Sequence, residues 1–175
     1  MINIAATALK LTLKDVKIDV SDTGNEGRPS RTGKAALSVQ GKGNVEIELD
    51  GKNELKSGYY RAGLEKTSAG TLTLKDNKEA GSGSLNAEGG ALSAGIGACY
   101  EEGTKNIIIT GGTVTATGGD GGAGIGGGSD GRNSDSNGKN ITITGGTVNA
   151  TGTDGGAGIG GGENGNGEDI TINGG

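Results

Sequence analysis

The stretch Asn106-Ile-Ile-Ile-Thr-Gly-Gly-Thr-Val-Thr-Ala-Thr-Gly118 decides the fold, because it returns almost unchanged as Asn140-Ile-Thr-Ile-Thr-Gly-Gly-Thr-Val-Asn-Ala-Thr-Gly152. Each copy continues into the same hexapeptide, Ala-Gly-Ile-Gly-Gly-Gly, at residues 123–128 and 157–162. Apolar residues alternate with polar ones in both copies, and glycines interrupt the alternation. A repeat of roughly 30 residues with this pattern predicts a solenoid of short β-strands.

Three short apolar tracts recur along the chain, and each alternates inward and outward residues as a half-buried strand does. The first tract contains Leu11 and Leu13, Leu72 and Leu74, Ile107 and Ile109, Ile141 and Ile143, and Ile170 and Ile172. The second contains Ile18 and Val20, Leu55 and Ser57, Leu85 and Ala87, Val114 and Ala116, and Val148 and Ala150. The third contains Ala35 and Leu37, Ala62 and Leu64, Ala94 and Ile96, Ala123 and Ile125, and Ala157 and Ile159.

These tracts predict an all-β fold, a right-handed parallel β-helix of about five coils with three short strands each. In the second coil the first tract, Val45, Ile47 and Leu49, is longer, and its register is ambiguous by two residues. We align Leu49 with Leu13 and with Leu74. Paired glycines at 111–112 and 145–146 predict sharp corners after the first tract.

The composition fits one thin-cored domain over residues 1–175, which we expect to be a fragment or module of a longer protein. With 41 Gly and neither Phe nor Trp, the chain cannot fill a thick core with bulky side chains. Disorder is the alternative for such a composition, but it does not explain apolar residues in register. The net charge of -5 argues against nucleic-acid partners, and no segment has the ~18 apolar residues of a membrane span.

The longest loops follow the third tract, at residues 97–105, 126–139 and 160–168, so one edge of the solenoid carries the variable segments. These loops contain Glu101, Glu102, Asp130, Asp135, Glu163 and Glu168, which predicts an acidic edge. We consider a calcium site formed by Asp130, Asn133, Asp135 and Asn137, because calcium prefers oxygen ligands in flexible loops. Their spacing is not that of an EF-hand loop or of the Gly-Gly-x-Gly-x-Asp nonapeptide of calcium β-rolls, so solvated carboxylates and no cofactor are the favoured interpretation.

Tyr59, Tyr60 and Tyr100 are the only aromatic residues, and all three flank third tracts in consecutive coils. Exposed aromatic rings can stack on the faces of sugars. These tyrosines are therefore the candidate ligand-binding residues. The alternative is that they cover glycine-rich turns.

Catalysis finds little support in the sequence, and we predict a protein that is not an enzyme. The chain has no His, the commonest acid-base residue. Polysaccharide lyases and hydrolases with parallel β-helices resemble this chain in architecture alone, and fold likeness does not transfer an activity. Asn106, Asn140 and Asp169 open successive coils at one position, which predicts a structural ladder of side-chain hydrogen bonds.

Several segments resemble a repeat of large secreted or cell-wall proteins of Gram-positive bacteria. The likeness is carried by residues 143–152, by Gly-Gly-Ala-Gly-Ile-Gly-Gly-Gly at 121–128 and 155–162, and by residues 83–90 and 94–97. It extends from about Val45 to the C-terminus. The resemblance implies a parallel β-helix module in an extracellular multidomain protein, beside carbohydrate-binding or adhesive domains, and it transfers no functional residue.

The first functional hypothesis is a non-enzymatic β-solenoid, extracellular or attached to the cell wall, that acts as a structural stalk or adhesive surface module. The second is a polysaccharide-binding module that uses the tyrosines, and the third is a polysaccharide lyase or hydrolase. The expected partners are a polysaccharide or another surface protein. End-to-end self-association is a further expectation, because the ends of a solenoid expose backbone donors and acceptors.

Overall fold

The protein folds into a solenoid of three parallel β-sheets. A computed structural model describes residues 2–4, 8–25, 33–77, 83–129 and 135–174. Each coil passes through the three sheets in turn, so strands that neighbour each other in a sheet come from successive coils. The predicted all-β parallel solenoid of about five coils with three strands each is confirmed.

The sheets are numbered here by the sequence tract that each contains. Sheet 1 consists of β2 (Ala8–Lys14), β5 (Asn44–Asp50), β8 (Leu72–Lys75), β11 (Thr104–Ile109), β14 (Gly138–Ile143) and β17 (Gly167–Ile172). Sheet 2 consists of β3 (Lys17–Asp19), β6 (Lys52–Lys56), β9 (Ser84–Glu88), β12 (Thr113–Thr117) and β15 (Thr147–Thr151). Sheet 3 consists of β1 (Ile2–Ile4), β4 (Leu37–Gly41), β7 (Leu64–Lys66), β10 (Ile96–Gly97), β13 (Ile125–Gly126) and β16 (Ile159–Gly160).

Aliphatic side chains from the three sheets meet along the axis and form the core. The third tract is confirmed throughout, since its large residues pair from coil to coil in the order Leu37, Leu64, Ile96, Ile125 and Ile159. In the central coils the inward aliphatic residues are completely buried, whereas Ile172 in β17 of sheet 1 is 61% exposed. Burial of stacked aliphatic residues is therefore the main stabilising contribution.

The first tract has a different register from the predicted one in its first two coils. Leu49 pairs with Leu13 as predicted, but the partner of Leu74 is Ile47 and not Leu49. Because Leu11 pairs with Ile47, the predicted alignment of Leu13 with Leu74 is wrong by two residues. The alternation has a period of two, so both alignments place the same residues inward, and only the hydrogen-bonded pairing distinguishes them.

The register of the second tract also differs by two residues from the predicted one. Leu55 pairs with Ile18 as predicted, but its partner in the next coil is Ala87, and Asn53 is the residue opposite Leu85. The predicted pairing of Leu55 with Leu85 is therefore wrong. The cause is that a polar residue, Asn53, occupies an inward position and is almost fully buried.

The corners between strands use residues with positive φ, as the sequence predicts. Gly112 and Gly146 have φ of 86° and 88° at the corner between sheets 1 and 2. Asn106 and Asn140 have φ of 60° and 51°, and the Asn140 Nδ2 donates to the Asn106 Oδ1 at 3.1 Å. The Asn106 Nδ2 in turn donates to the carbonyl of Ala69 at 3.2 Å, so the predicted ladder is confirmed for Asn106 and Asn140, while the place of Asp169 in it stays a prediction.

Ion pairs link the outer faces of successive coils. Glu46 accepts from Lys75 at 2.9 Å and lies 3.6 Å from Lys10, so three coils are joined through one carboxylate. The hydrogen bond from Lys75 and the charge of Lys10 lower the pKa of Glu46. Other cross-coil pairs are Lys14 with Asp50, Lys17 with Glu54, Lys56 with Glu88, and Lys139 with Glu168. Exposed pairs of this kind each contribute little to stability, because solvent screens their charges.

The part of the chain that the structure describes contains no helix long and apolar enough to cross a membrane.

Candidate functional site

The three tyrosines form one cluster on the surface of the solenoid. Tyr59 and Tyr60 lie between β6 and β7, and Tyr100 follows β10 in the next coil. The rings of Tyr60 and Tyr100 are stacked, with centroids 4.7 Å apart and planes at 24°. The ring of Tyr59 meets that of Tyr60 edge-on at 4.5 Å. All three side chains are half-buried, so the cluster both packs two coils together and borders the solvent.

The backbone conformation of Tyr60 recurs at the equivalent corner of the following coils. Tyr60 has φ of 64°, and the residues that precede the third tract in the following coils, Leu92, Gly121 and Gly155, have φ of 62°, 70° and 93°. A left-handed residue is therefore a regular feature of the corner between sheets 2 and 3. Since Leu92 adopts it too, the conformation of Tyr60 serves the turn and does not by itself mark a binding site.

A shallow groove of about 210 Å³ lies beside Tyr59. Its walls include Ser21, Gly90 and the ion pair of Lys56 with Glu88, whose Nζ and Oε2 atoms are 2.6 Å apart. The hydrogen bond to Glu88 raises the pKa of Lys56, so this lysine stays protonated at neutral pH. An aromatic ring next to hydroxyl and charged groups can contact both the apolar face and the hydroxyls of a sugar.

The proposed calcium ligands are only partly located. Asp130 and Asn133 lie outside the described residues, whereas Asp135 is exposed and Asn137 is half-buried. The Asn137 side-chain Oδ1 accepts from the backbone N of Asn166 at 2.7 Å, and its carbonyl accepts from the N of Thr104 at 2.9 Å. Asn137 therefore links neighbouring coils. The described residues contain no group of three His, Cys, Asp or Glu placed to hold a metal ion, and the calcium site stays a prediction.

One buried carboxylate is fully engaged in hydrogen bonds. Glu65 in β7 is 1% exposed, and its two oxygens each accept from the Arg61 Nη1 at 3.1 Å. Its Oε1 also accepts from the hydroxyl of Ser38 at 2.9 Å, while the Arg61 Nε donates to the carbonyl of Gly33. The sequence places Glu65 at an outward strand position and gives no sign of this burial. The arrangement stabilises the turn between β6 and β7.

The loops after the third tract line a second groove, which the sequence analysis did not identify. We call it the loop-corner groove, and it lies where the chain passes from sheet 3 to sheet 1 in three successive coils. Lys66, Lys105 and Lys139 line it together with Glu102 and Asp135. The groove thus combines three lysines with two of the predicted acidic residues, and the acidic character of the edge as a whole stays a prediction.

Part of the chain is similar in sequence to a known repeat family. Residues 107–129 and 141–163 match a family model described as a Beta helix repeat. These segments cover most of two successive coils, including the strands from β12 to β13 and from β15 to β16. Together with the three parallel sheets, the match supports a β-helix repeat module. No match was found among curated proteins or solved structures.

Proposed function

We propose that the chain is a non-enzymatic, extracellular β-solenoid that acts as a structural stalk or adhesive surface module. The observation that supports this role is the continuous register of sheet 1, where strands from six successive passes pair without interruption. Cross-coil ion pairs and the asparagine ladder also link successive coils along the solenoid axis. The loops of different coils are thereby held at fixed separations of ~4.8 Å.

A rigid frame suits adhesion because weak contacts from several coils can act together on a repetitive target. A partner with regular spacing, such as a polysaccharide or an array of surface proteins, would engage successive corners at once. Each contact alone stays weak. We therefore expect retention on a surface to depend strongly on how many copies of the module are displayed.

The rigidity can be measured between two spin labels in one outward column of sheet 1. Lys10 and Thr171 are both exposed and stand five register steps apart, so their separation should be ~24 Å along the axis. Labels at Lys10→Cys and Thr171→Cys, in a chain that also carries Cys99→Ala, should give one narrow distance distribution. A broad distribution would contradict the rigid stalk.

Adhesion is tested separately with beads that carry the module at high or low density. We expect densely coated beads to be retained under flow on purified cell-wall polysaccharide or on a surface-protein layer, and sparsely coated beads to be released. Equal release at both densities on every surface would contradict the adhesive role and leave only the stalk.

A second candidate function is polysaccharide binding at the groove beside Tyr59, and the observation that favours it is the tyrosine cluster on the groove's edge. Tyr59→Ala should weaken binding of a polysaccharide identified on a glycan array. Tyr100→Ala is the matched control, since Tyr100 contacts Tyr60 but does not line the groove. Equal loss in both variants, or binding in neither form, would speak against a site at Tyr59.

Polysaccharide cleavage is a third hypothesis with a simple test. Lyases and hydrolases act through carboxylates or cationic groups that reach the substrate, whereas the buried Glu65 is engaged by Arg61 and Ser38. We therefore expect no new reducing ends or unsaturated products when the protein is incubated with acidic polysaccharides. Their appearance would overturn the non-enzymatic proposal.

A further inference from the structure

The loop-corner groove has a volume of about 360 Å³ and contains an unusual lysine at its inner end. Lys66 pairs in register with Val39, which is completely buried, so the lysine occupies an inward position of β7. Its side chain is 1% exposed. A cation in this position loses most of its hydration, which is a large cost unless an anion or several acceptors replace the water.

The protein itself supplies little compensation for this charge. The Lys66 Nζ donates to the carbonyl of Ser68 at 2.8 Å. Within the described ranges of the chain, no carboxylate forms an ion pair with Lys66. Burial in the first place, and the nearby charge of Lys105 in the second, lower the pKa of Lys66 to about 8. The ammonium group can still donate two more hydrogen bonds.

A second buried group in the groove has no hydrogen-bond partner at all. The Ser68 hydroxyl is buried and makes no hydrogen bond, although Ser68 lines the same cavity. A buried hydroxyl without a partner destabilises the fold, because nothing replaces the hydrogen bonds that it makes to water in the unfolded chain. An unpaired hydroxyl in the same groove as a buried ammonium that has no carboxylate partner indicates a place where an acceptor with negative charge would be bound favourably.

The other charges around the groove do not remove this preference. Lys105 is exposed at the entrance, and Lys139 lies 3.1 Å from Glu168 and is already paired. Glu102 is half-buried and Asp135 is exposed, so both carboxylates stand nearer to solvent than Lys66 does. At neutral pH the inner end of the groove is therefore positive, and its acidic groups lie towards the outside.

We propose that the loop-corner groove binds an oxyanion, with Lys66 and the Ser68 hydroxyl as its inner contacts and Lys105 at the entrance. A sulfate, phosphate or carboxylate group supplies an acceptor for the Ser68 hydroxyl and further acceptors for the Lys66 ammonium. The oxyanion comes either from a free inorganic ion or from the side groups of an acidic polysaccharide. This inference is independent of the stalk role and of the tyrosine cluster, because it rests on different residues at a different corner.

Sulfate titration followed by NMR of the lysine side chains tests the proposal directly. Saturating sulfate should shift the Lys66 resonances and raise the pKa of that amine, since the anion favours its protonated form. The affinity should fall between pH 7 and pH 9.5 as Lys66 loses its proton. Lys66→Met should weaken sulfate binding about tenfold or more, because a charge-assisted hydrogen bond is lost.

Lys52→Met is the matched control, since Lys52 is exposed on sheet 2 and does not line the groove. It removes the same charge and should leave the sulfate affinity within about twofold, because distant exposed charges are screened. Undiminished sulfate binding by Lys66→Met, in a chain whose amide spectrum is otherwise native, would overturn the proposal.

Ser68→Ala separates a binding role from a structural one. The free protein should be equally stable or more stable, because an unpaired buried hydroxyl is removed, while sulfate binding weakens about fivefold. Loss of stability without loss of affinity would contradict the assignment of Ser68.

The source of the oxyanion is distinguished by parallel titrations with sulfate, phosphate, a polyuronate and a sulfated polysaccharide. Binding of the simple ions as tightly, per anionic group, as the polymers assigns the groove to a free ion. Stronger binding of one polymer, abolished by Lys66→Met, assigns it to the side group of that polymer. No response of Lys66 to any of the four would overturn the inference.

Discussion

Asn53 stands directly opposite Leu85 in sheet 2, so an amide occupies a column whose next member is aliphatic. The Asn53 Oδ1 accepts from the backbone N of Val16 at 3.0 Å. Its Nδ2 donates to the carbonyls of Ser84 at 3.0 Å and of Asp50 at 3.3 Å. One side chain thus satisfies backbone groups in three successive coils at the corner between sheets 1 and 2.

We predict that Asn53→Ala destabilises the protein by about 2 kcal/mol, because it removes three hydrogen bonds between a buried side chain and partly buried backbone groups. The free energy of unfolding in urea measures the effect. Asn149→Ala is the control, since Asn149 is an exposed residue of the same sheet, and it should change stability by less than about 0.5 kcal/mol. A similar loss in both variants would refute the structural role of Asn53.

Truncating the core should be costly in the middle of the solenoid and nearly neutral at its exposed end. Ile107 is completely buried, whereas Ile172 is 61% exposed in the same sheet. Ile107→Ala should reduce the free energy of unfolding by about 3 kcal/mol through lost burial and a new cavity. Ile172→Ala should cost well under about 1 kcal/mol. Equal effects would show that the columns do not pack as described.

The buried lysine should give stability a distinct pH dependence. The pKa of Lys66 is about 8 in the folded protein, below the ordinary value of 10.5, so the unfolded chain binds more protons between these values. The penalty for burying the charge is complete below pH 8 and declines as the pH rises towards 10.5. Lys66→Met should therefore be more stable than the parent by about 3 kcal/mol at pH 7.

That advantage should shrink steadily between pH 8 and pH 10.5, measured in chloride buffers by denaturant unfolding. Lys52→Met again serves as the control and should show no comparable trend. An advantage that stays constant across the range would indicate better packing of methionine and no buried charge.

Tyr60 offers a test of the left-handed corner. Its φ of 64° suits glycine, so Tyr60→Gly should be more stable than Tyr60→Ala by about 1 kcal/mol, although both lose the ring stack on Tyr100. Leu92 has the same conformation, and Leu92→Gly should likewise exceed Leu92→Ala in melting temperature. A reversed order at both positions would exclude a left-handed corner.

The sequence predicted the solenoid, its three sheets and most of its inward residues. These predictions were correct because each buried position repeats in neighbouring coils, as Ile125 does at Ile159. The alternation within a strand and the repetition between coils therefore identify the same residues as inward. The asparagine ladder was predicted for the same reason. Registers failed where the repetition was imperfect, at Leu49 and at Asn53, since a period of two cannot distinguish alignments that differ by two residues.

The sites were harder to predict than the fold. The tyrosines were selected as rare aromatic residues, and the structure brings them into one cluster, while sugar binding by them stays a prediction. Lys66 and Ser68 were missed because hydropathy assigns lysine and serine to the surface. The burial of Lys66 follows from its pairing with the buried Val39 in sheet 3, and Ser68 is buried just beyond the end of the same strand. A buried polar side chain of this kind can be recognised only from the packing between coils.

The turns from sheet 3 to sheet 1 differ in length from coil to coil, yet Lys105, Lys139 and Glu168 still pair in register beyond them. The length of a turn at this corner therefore does not change the register of the strands that follow it. A foreign peptide grafted into one of these turns would therefore lie at a position along the solenoid axis that is fixed by its coil. Peptides grafted into successive turns would be displayed at regular, known separations.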